Sequence, residues 1–292
     1  MKTTPCPKST STPERLEQVE DLPTLPSVAM EVNRLLEDED VSIRKLTDTI
    51  EKDQSIVSKI LKLVNSAFFG LRSRVDNISH AVTLLGFNTV RNAVLSVSVI
   101  KTFGGVKPGD GFSMADFWRH AVAVGITARF LGQQTRLASP DNGFIAGLLH
   151  DMGKVVLSAF FPEIFREVLQ GLARGISFYE AERDTSPMDH ARIGGFLARQ
   201  WQLPRSLTDA IRCHHAVKQS AADYRLLLLV HAADLVSVRV RNEQEGAEAL
   251  KGLHPEALKA VRSQLDNFHD WSQDLREEID TGCRFFLEEL DS

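Results

Sequence analysis

The stretch FIAGLLHDMGKVVL, residues 144–157, carries the strongest signal in this chain. It has the apolar content of a buried helix, yet it places His150 and Asp151 side by side among those apolar residues. Both polar groups need partners inside the fold, because burying an unpaired carboxylate is costly. A metal ion satisfies both at once, and later apolar, helical-looking segments contain further His and Asp residues that can complete its ligand set.

The composition of the 292-residue chain is that of a soluble globular protein, with 43% hydrophobic and 25% charged residues. Its apolar runs are too short to span a bilayer and no charged-then-apolar leader opens the sequence, so we expect neither a membrane span nor a secretory signal. Three scattered cysteines indicate a reducing, cytoplasmic setting. A net charge of −5 disfavours broad nucleic-acid binding.

Helical spacing of apolar residues predicts an all-α fold, since no segment alternates convincingly with period two. Ser113 is predicted to cap the helix SMADFWRHAVAVGITARFLGQQ. Gly86 is predicted to hinge two helices, and Pro187 to stand at the first position of another. After the Ser113 helix, we predict helices around residues 142–160, 187–201, 205–215 and 223–240.

Composition also divides the chain into four parts. Residues 1–20 are rich in Ser, Thr, Pro and Lys and are expected to form a flexible tail. Residues 21–108 form an N-terminal helical part that ends within VKPGDGF, the clearest internal boundary. A helical core with the ionisable cluster is predicted for 109–242, and an amphipathic helical extension for 243–292.

The ionisable cluster consists of His and Asp residues in apolar segments: His120, His150, Asp151, His190, His214, His215 and Asp234. Imidazole and carboxylate ligands without a thiolate set suit iron, manganese, nickel or zinc. The set is too large for one tetrahedral zinc but suits two ions bridged by a carboxylate, which can activate a water and clamp a phosphate. Lys154, one turn after the His-Asp pair, is then placed to neutralise a phosphate oxygen.

Structural roles are the alternative for each of these residues. A single histidine is more often structural, and the pocket can be empty or water-filled, with His and Asp paired by hydrogen bonds. Asp116 shares a helix face with His120, but a first-turn Asp also stabilises a helix N-terminus without metal. His231 is expected to orient a ligand or to lie in the core.

The order H…HD…H…HH…D, with the pair in GLLHDMGK, resembles the HD superfamily of metal-dependent phosphohydrolases. The segments LPTLPSVAMEVNRLL, IEKDQSIVSKILKLVNSAFFG and ISHAVTLLGFNTVRN are similar to the opening of the HDOD domain, a bacterial signalling relative of those enzymes. FWRHAVAVGITARFL, MDHARIGGFLARQWQLP and AIRCHH continue the resemblance, which covers roughly residues 20–240.

This resemblance implies a multi-helix HD-like bundle with an N-terminal helical subdomain. It implies two divalent metals, iron first among them, held by the seven residues of the cluster, and a phosphate-side role for Lys154. If the chain is an enzyme, Asp151 and Lys154 are its catalytic candidates, and Asp116 falls where related HD-GYP phosphodiesterases can place another carboxylate. After His215 the chain reads AVKQSAADY, without the GYP tripeptide, so cyclic di-GMP hydrolysis is not expected.

Two functions from different classes remain open. The first is a regulatory HDOD protein that binds a signalling protein or a small nucleotide or phosphoester and relays a state without turnover. The second is a metal-dependent phosphohydrolase acting on a nucleotide or other phosphoester. We favour the first, because a metal does not establish turnover and fold resemblance does not settle function. No receiver-like or cyclase-like segment is seen, so the signalling partner is expected to be another chain, and DNA association is disfavoured.

Overall fold

The computed structural model describes residues 16, 17, 19, 21–38, 40–66, 71, 73–242 and 252–288. Every regular element within these ranges is an α-helix, which confirms the predicted all-α fold. Most of the predicted tail, 1–20, and the start of the predicted extension, 243–251, lie outside the described residues.

The N-terminal helices are α1 (Ser27–Leu35), α2 (Ile43–Ile50), α3 (Gln54–Val64), α4 (Ile78–Leu85) and α5 (Phe87–Gly104). Ser42, Asp53 and Asn77 cap three of them, each side chain accepting from the backbone N–H three residues on. Gly86 separates α4 from α5 with a φ of +85°, a left-handed conformation that favours glycine, so the predicted hinge is confirmed.

The core helices are α6 (Met114–Thr135), α7 (Pro140–Leu149), α8 (Met152–Phe160), α9 (Pro162–Ala173), α10 (Phe178–Thr185), α11 (His190–Gln200), α12 (Arg205–Cys213) and α13 (Tyr224–Asn242). The predicted cap at Ser113 is confirmed, since its side chain accepts from the Asp116 N–H. Helix α6 is central and packs against α7 and α13. A Cβ at Gly147 would lie 2.8 Å from the Gly125 Cα, so glycines on both helices allow α6 and α7 to approach closely.

Two local predictions were wrong, and two helices were missed. The helix predicted over 142–160 is broken at His150 and Asp151, because the apolar pattern continues across a change of direction that periodicity cannot reveal. The helix predicted from Pro187 begins at His190, because the Asp189 side chain caps it. Helices α9 and α10 were not predicted, although proline at the first position of α9 and a Ser177–Glu180 capping box in α10 mark their starts.

The C-terminal helices α14 (Pro255–Asp266) and α15 (Phe268–Glu288) pack against α6 and α13. Buried apolar side chains from the N-terminal, core and C-terminal helices form one contiguous cluster. At its centre the Phe103 ring of α5 makes edge contacts with Trp118 and Trp201. One hydrophobic core spans both sides of the predicted boundary between residues 108 and 109. The division there therefore stays a prediction from composition.

Residues Pro140–Phe160, which span α7 and α8, are long and apolar enough to cross a membrane by length and composition, with a mean hydropathy of 1.3. Within the protein, 83% of that apolar window is buried. The stretch also contains the buried pair His150 and Asp151. Burial of this kind is typical of a core helix pair, and the cytoplasmic location stays a prediction.

Candidate metal centre

The structure brings the seven predicted ligands together in two adjoining groups. Within each group, one potential ligand atom from every residue lies within 4.8 Å of the others. The groups are Asp151, His190, His214 and His215, and His120, His150 and Asp234. Their role as ligands stays a prediction at this point, because position alone does not establish binding.

Asp151 lies between the two groups and faces both. Its Oδ1 atom is 3.1 Å from the Nε2 atom of His190 and 3.7 Å from that of His214. Its Oδ2 atom is 3.3 Å from the Nε2 atom of His150 and 3.4 Å from that of His120. With 1% of its side chain exposed, this carboxylate is in position to bridge two cations.

Two of the imidazoles are oriented by the ends of the helices that carry them. His150 and His214 directly follow α7 and α12, and each Nδ1 donates to the carbonyl three residues earlier. The bonds are 2.6 Å to Gly147 O and 2.7 Å to Ile211 O. Because a carbonyl only accepts, Nδ1 carries the proton in both rings, and Nε2 of the neutral imidazole presents a lone pair to the centre.

His190 is oriented by Glu182, a residue that sequence reasoning missed. Glu182 is fully buried in α10 and accepts from the His190 backbone N–H at 2.9 Å. Its other oxygen accepts from His190 Nδ1 at 2.5 Å. A carboxylate behind an imidazole fixes the ring and raises its basicity as a metal ligand. The capping box that starts α10 was the available signal for this helix, although not for the role of Glu182.

The donor arrangement fits a metal better than it fits an internal hydrogen-bond network. The His190 Nε2 atom lies 3.2 Å from His214 Nε2 and 3.0 Å from His215 Nε2. His190 and His214 already use Nδ1 as donors, so in their neutral forms these facing nitrogens cannot bond to each other. Among the described residues, the buried His150 Nε2 atom has no hydrogen-bond partner and faces Asp151 Oδ2, another acceptor, at 3.3 Å. Protons or cations must therefore occupy this space, and the donor set suits a first-row divalent metal.

Without metal, protons balance part of the negative charge. Burial lowers the pKa of His120, but hydrogen bonds to Asp151 and Asp234 outweigh burial and raise it to about 9. Burial likewise opposes protonation of His190, and the charges of Glu182 and Asp151 raise its pKa to about 9. In metal-free protein near neutral pH, these two rings are therefore cationic.

The neighbouring rings are held neutral. Burial, followed by repulsion from His215 and His150, keeps the pKa of His214 well below its usual range. Burial and the adjacent His190 lower the pKa of His215 to about 3. Neutral imidazole is the form that binds metal, so these rings are ready to act as ligands at neutral pH.

The centre opens to solvent along one side. His120, Lys154 and Asp234 keep 19%, 20% and 16% of their side chains exposed, whereas most other members are buried. The Lys154 Nζ atom is 2.5 Å from Asp151 Oδ2 and lies over the Phe178 ring. The Tyr179 ring stacks on His215 at 4.4 Å.

Two further residues weighed from the sequence lie around the centre rather than in it. His231 donates through Nδ1 to the His214 carbonyl at 2.7 Å and accepts at Nε2 from the His254 backbone N–H at 3.0 Å. It therefore connects α14 to the backbone of a candidate ligand. Asp116 is largely exposed and pairs with Arg119 at 3.0 Å, so the structure does not bring it into the centre.

Comparison with known proteins agrees with this architecture. The profile of the HDOD domain matches residues 22–217. This chain belongs to the HDOD domain family. The HDOD match includes all the candidate ligands except Asp234, which lies beyond it on α13.

Its sequence relatives are uncharacterized proteins. One from Treponema pallidum (strain Nichols) is 31% identical over 228 residues, which are 76% of this chain and 43% of that protein. YuxH of Bacillus subtilis (strain 168) is 35% identical over 63 residues, which are 22% of this chain and 15% of YuxH. This HDOD chain thus spans less than half the length of these curated relatives.

Solved structures share the fold. A proposed phosphohydrolase from Shewanella amazonensis SB2B superposes with a TM-score of 0.74 at 23% identity, covering 94% of this chain and 97% of the other. An HDOD domain protein of unknown function from Geobacter sulfurreducens also gives 0.74, at 24% identity, covering 92% and 95%. At these identities the likeness establishes the HD-like helical fold alone.

Proposed function

We propose that this chain is a bacterial regulatory HDOD protein whose centre holds two divalent transition-metal ions, with iron first and manganese, nickel or zinc as alternatives. The observation that carries the proposal is the position of Asp151. Each of its oxygens faces a separate group of imidazole Nε2 atoms, and the carboxylate is buried. His150 uses its Nδ1 proton on the Gly147 carbonyl, so its Nε2 atom faces Asp151 Oδ2 as a second acceptor at 3.3 Å. A cation between these two atoms satisfies both, whereas an internal hydrogen-bond network of neutral groups does not.

The two groups define which residues would hold each ion. One ion would be held by His190, His214 and His215 with Asp151 Oδ1, and the other by His120, His150 and Asp234 with Asp151 Oδ2. Bound metals would supply Lewis acidity and an activated water. Glu182 would keep His190 oriented, and the carbonyls of Gly147 and Ile211 would keep their histidines in the ligating tautomer.

The regulatory role is supported by where the donors come from. They lie on or beside α6, α7, α8, α11, α12 and α13, so metal binding would tie these helices together and stabilise the core by mass action. His231 extends this connection to α14. A partner that recognises the HDOD surface would then distinguish loaded from empty protein. Signalling proteins and small phosphorylated ligands are the proposed partners, and the cytoplasm the proposed location.

Elemental analysis of purified protein tests the proposal, with Asp151→Asn and Asp116→Asn as matched variants. Wild type and Asp116→Asn should each carry about two equivalents of transition metal, while Asp151→Asn should lose most of both because it weakens both groups. Less than half an equivalent in wild type, even after growth in metal-supplemented medium, would refute the metal centre.

A metal-dependent phosphohydrolase is the second candidate function, and the position of Lys154 favours it. Its ammonium group lies at the open side of the centre, part-exposed and against Asp151, where it would neutralise a phosphate oxygen. Loaded protein should therefore be assayed with generic phosphoesters and cyclic dinucleotides. Turnover that disappears in Asp151→Ala, and in Lys154→Gln with metal retained, would replace the purely regulatory function by hydrolysis.

A further inference from the structure

A cationic cleft adjoins the centre in this otherwise acidic protein. We call it the α11–α12 cleft, and it has a volume of about 500 Å³. Its charged lining comprises one carboxylate, Asp189, and four cationic side chains: Arg192, Arg199, Arg212 and Lys218. His215 and Tyr179 line it as well, so the cleft and the centre share an edge. We propose that this cleft binds phosphate groups of a small phosphorylated ligand whose other end reaches the metal centre.

The cleft is built by helix geometry rather than by scattered surface charges. Arg192, Phe196 and Arg199 are spaced four and three residues apart on α11, so they lie on one face. Arg212 comes from the end of α12, where its stem packs against Gly195. A Cβ at Gly195 would lie 2.6 Å from Arg212 Cβ and 3.0 Å from Cγ. The absence of a side chain at Gly195 therefore lets the stem of Arg212 pack against α11.

The charge in the cleft is mostly uncompensated. Arg192 pairs with Asp189 at 3.2 Å. In the described part of the chain, no carboxylate forms an ion pair with Arg199, Arg212 or Lys218. The chain as a whole carries a formal net charge of −5, so this concentration of positive charge is local and favours an anionic ligand.

Phosphate is the anion that this chemistry suits best. Guanidinium groups match phosphate oxygens with two parallel N–H donors, and a lysine adds a point charge. The volume is that of a small-molecule site, which favours a nucleotide-sized ligand over a nucleic-acid duplex. Because His215 lines both places, a ligand seated in the cleft lies beside one of the proposed metal positions.

Isothermal titration of metal-free, full-length protein with inorganic tripolyphosphate at low salt tests the cleft independently of the metal. Arg199→Gln with Arg212→Gln removes two cleft charges. Arg166→Gln with Arg205→Gln makes the same change in net charge at exposed positions outside the cleft. The cleft double variant should bind about tenfold more weakly or worse, given the strength of hydrogen bonds between charged groups, and the control within about twofold of wild type. Equal binding by both doubles would overturn the proposal.

The connection to the centre rests on the proposed function and needs a second titration. The probe is the 5′-phosphorylated dinucleotide pTpT, added to metal-free and metal-loaded protein. Tighter binding after loading, lost in the cleft double variant, is the expected result. Binding that depends on metal but not on the cleft arginines would overturn the proposal and leave the metal centre standing. Protein that takes up no metal yet binds tripolyphosphate through the cleft would refute the metal centre instead. Displacement of tripolyphosphate by duplex DNA at equal phosphate concentration would overturn the assignment to a small ligand.

Discussion

Replacing Gly153 by alanine tests whether the close packing of α8 on α11 holds the metal centre together. Gly153 follows Asp151 by two residues and lies against His190 and Gly194. A Cβ at this position would overlap the His190 carbonyl oxygen and lie 2.8 Å from the Gly194 amide nitrogen. Both are backbone atoms, so no side-chain rotation relieves the overlap, and the two helices must separate.

The expected cost follows from these contacts. Ordinary van der Waals contact begins near 3.4 Å, so the His190 carbonyl of α11 and the new Cβ on α8 must separate by more than about 1 Å. Overpacking of this kind costs about 1–3 kcal/mol, and alanine recovers up to about 1 kcal/mol over glycine in a helix. The free energy of unfolding should therefore fall by about 1–2 kcal/mol. Because His190 moves away from Asp151, metal affinity should fall by about 10-fold to 100-fold.

Gly104→Ala is the matched control, because a Cβ added to this helical glycine meets nothing within 4 Å. Chemical denaturation of chelator-treated protein measures stability, and metal content after dialysis measures affinity. The control should be as stable as wild type or slightly more stable, with unchanged metal content. If Gly153→Ala behaves like Gly104→Ala in both measurements, the close approach of α8 to α11 does not hold the centre and the reasoning fails.

Three further predictions concern the groups around the centre. Glu182→Gln keeps an acceptor for the His190 backbone but removes the charge, so metal affinity in a chelator competition should fall about 10-fold to 100-fold; unchanged affinity would contradict the assigned role. In metal-free protein, the pKa values of His120 and His190 are raised to about 9, so protonation of these rings stabilises the fold. This stabilisation is complete below pH 6.5 and is lost as the pH rises through 9. Denaturation of chelator-treated protein should give a lower free energy of unfolding at pH 9 than at pH 6.5. Metal-loaded protein should show little difference between the two pH values, because its ligands are already deprotonated. His231→Phe removes the bonds to His214 and α14 and should cost about 1–3 kcal/mol, with faster amide exchange at the start of α14; unaltered exchange would argue against this connection.

The sequence is most informative where polar residues interrupt apolar segments. His150, Asp151 and Asp234 occur in segments whose apolar content indicates burial, and a buried carboxylate or imidazole needs a partner. That argument predicted a shared centre, and the structure brings the predicted residues together in two adjoining groups. Apolar periodicity likewise predicted the helical class, and local chemistry predicted the Ser113 cap and the Gly86 hinge.

Other features depend on tertiary packing and leave no such local mark. Glu182 occurs in FYEAERDT, a polar segment that resembles an exposed surface, yet it is fully buried behind His190. The break at His150 and Asp151 lies inside a continuous apolar pattern, so a single helix was the natural prediction there. The orientation of Asp151 toward both groups depends on where α6, α11, α12 and α13 pack, which residue spacing does not define.

The geometry of the open side bears on the choice between regulation and hydrolysis. Lys154 lies against the Asp151 oxygen that faces His120 and His150, whereas the α11–α12 cleft adjoins the opposite group through His215. A phosphoester placed for hydrolysis would have to contact Lys154 as well as the cleft. A ligand that is only sensed needs the cleft and its nearer edge alone. Contact with Lys154, in addition to the cleft, is therefore the property that would distinguish a substrate from a signal.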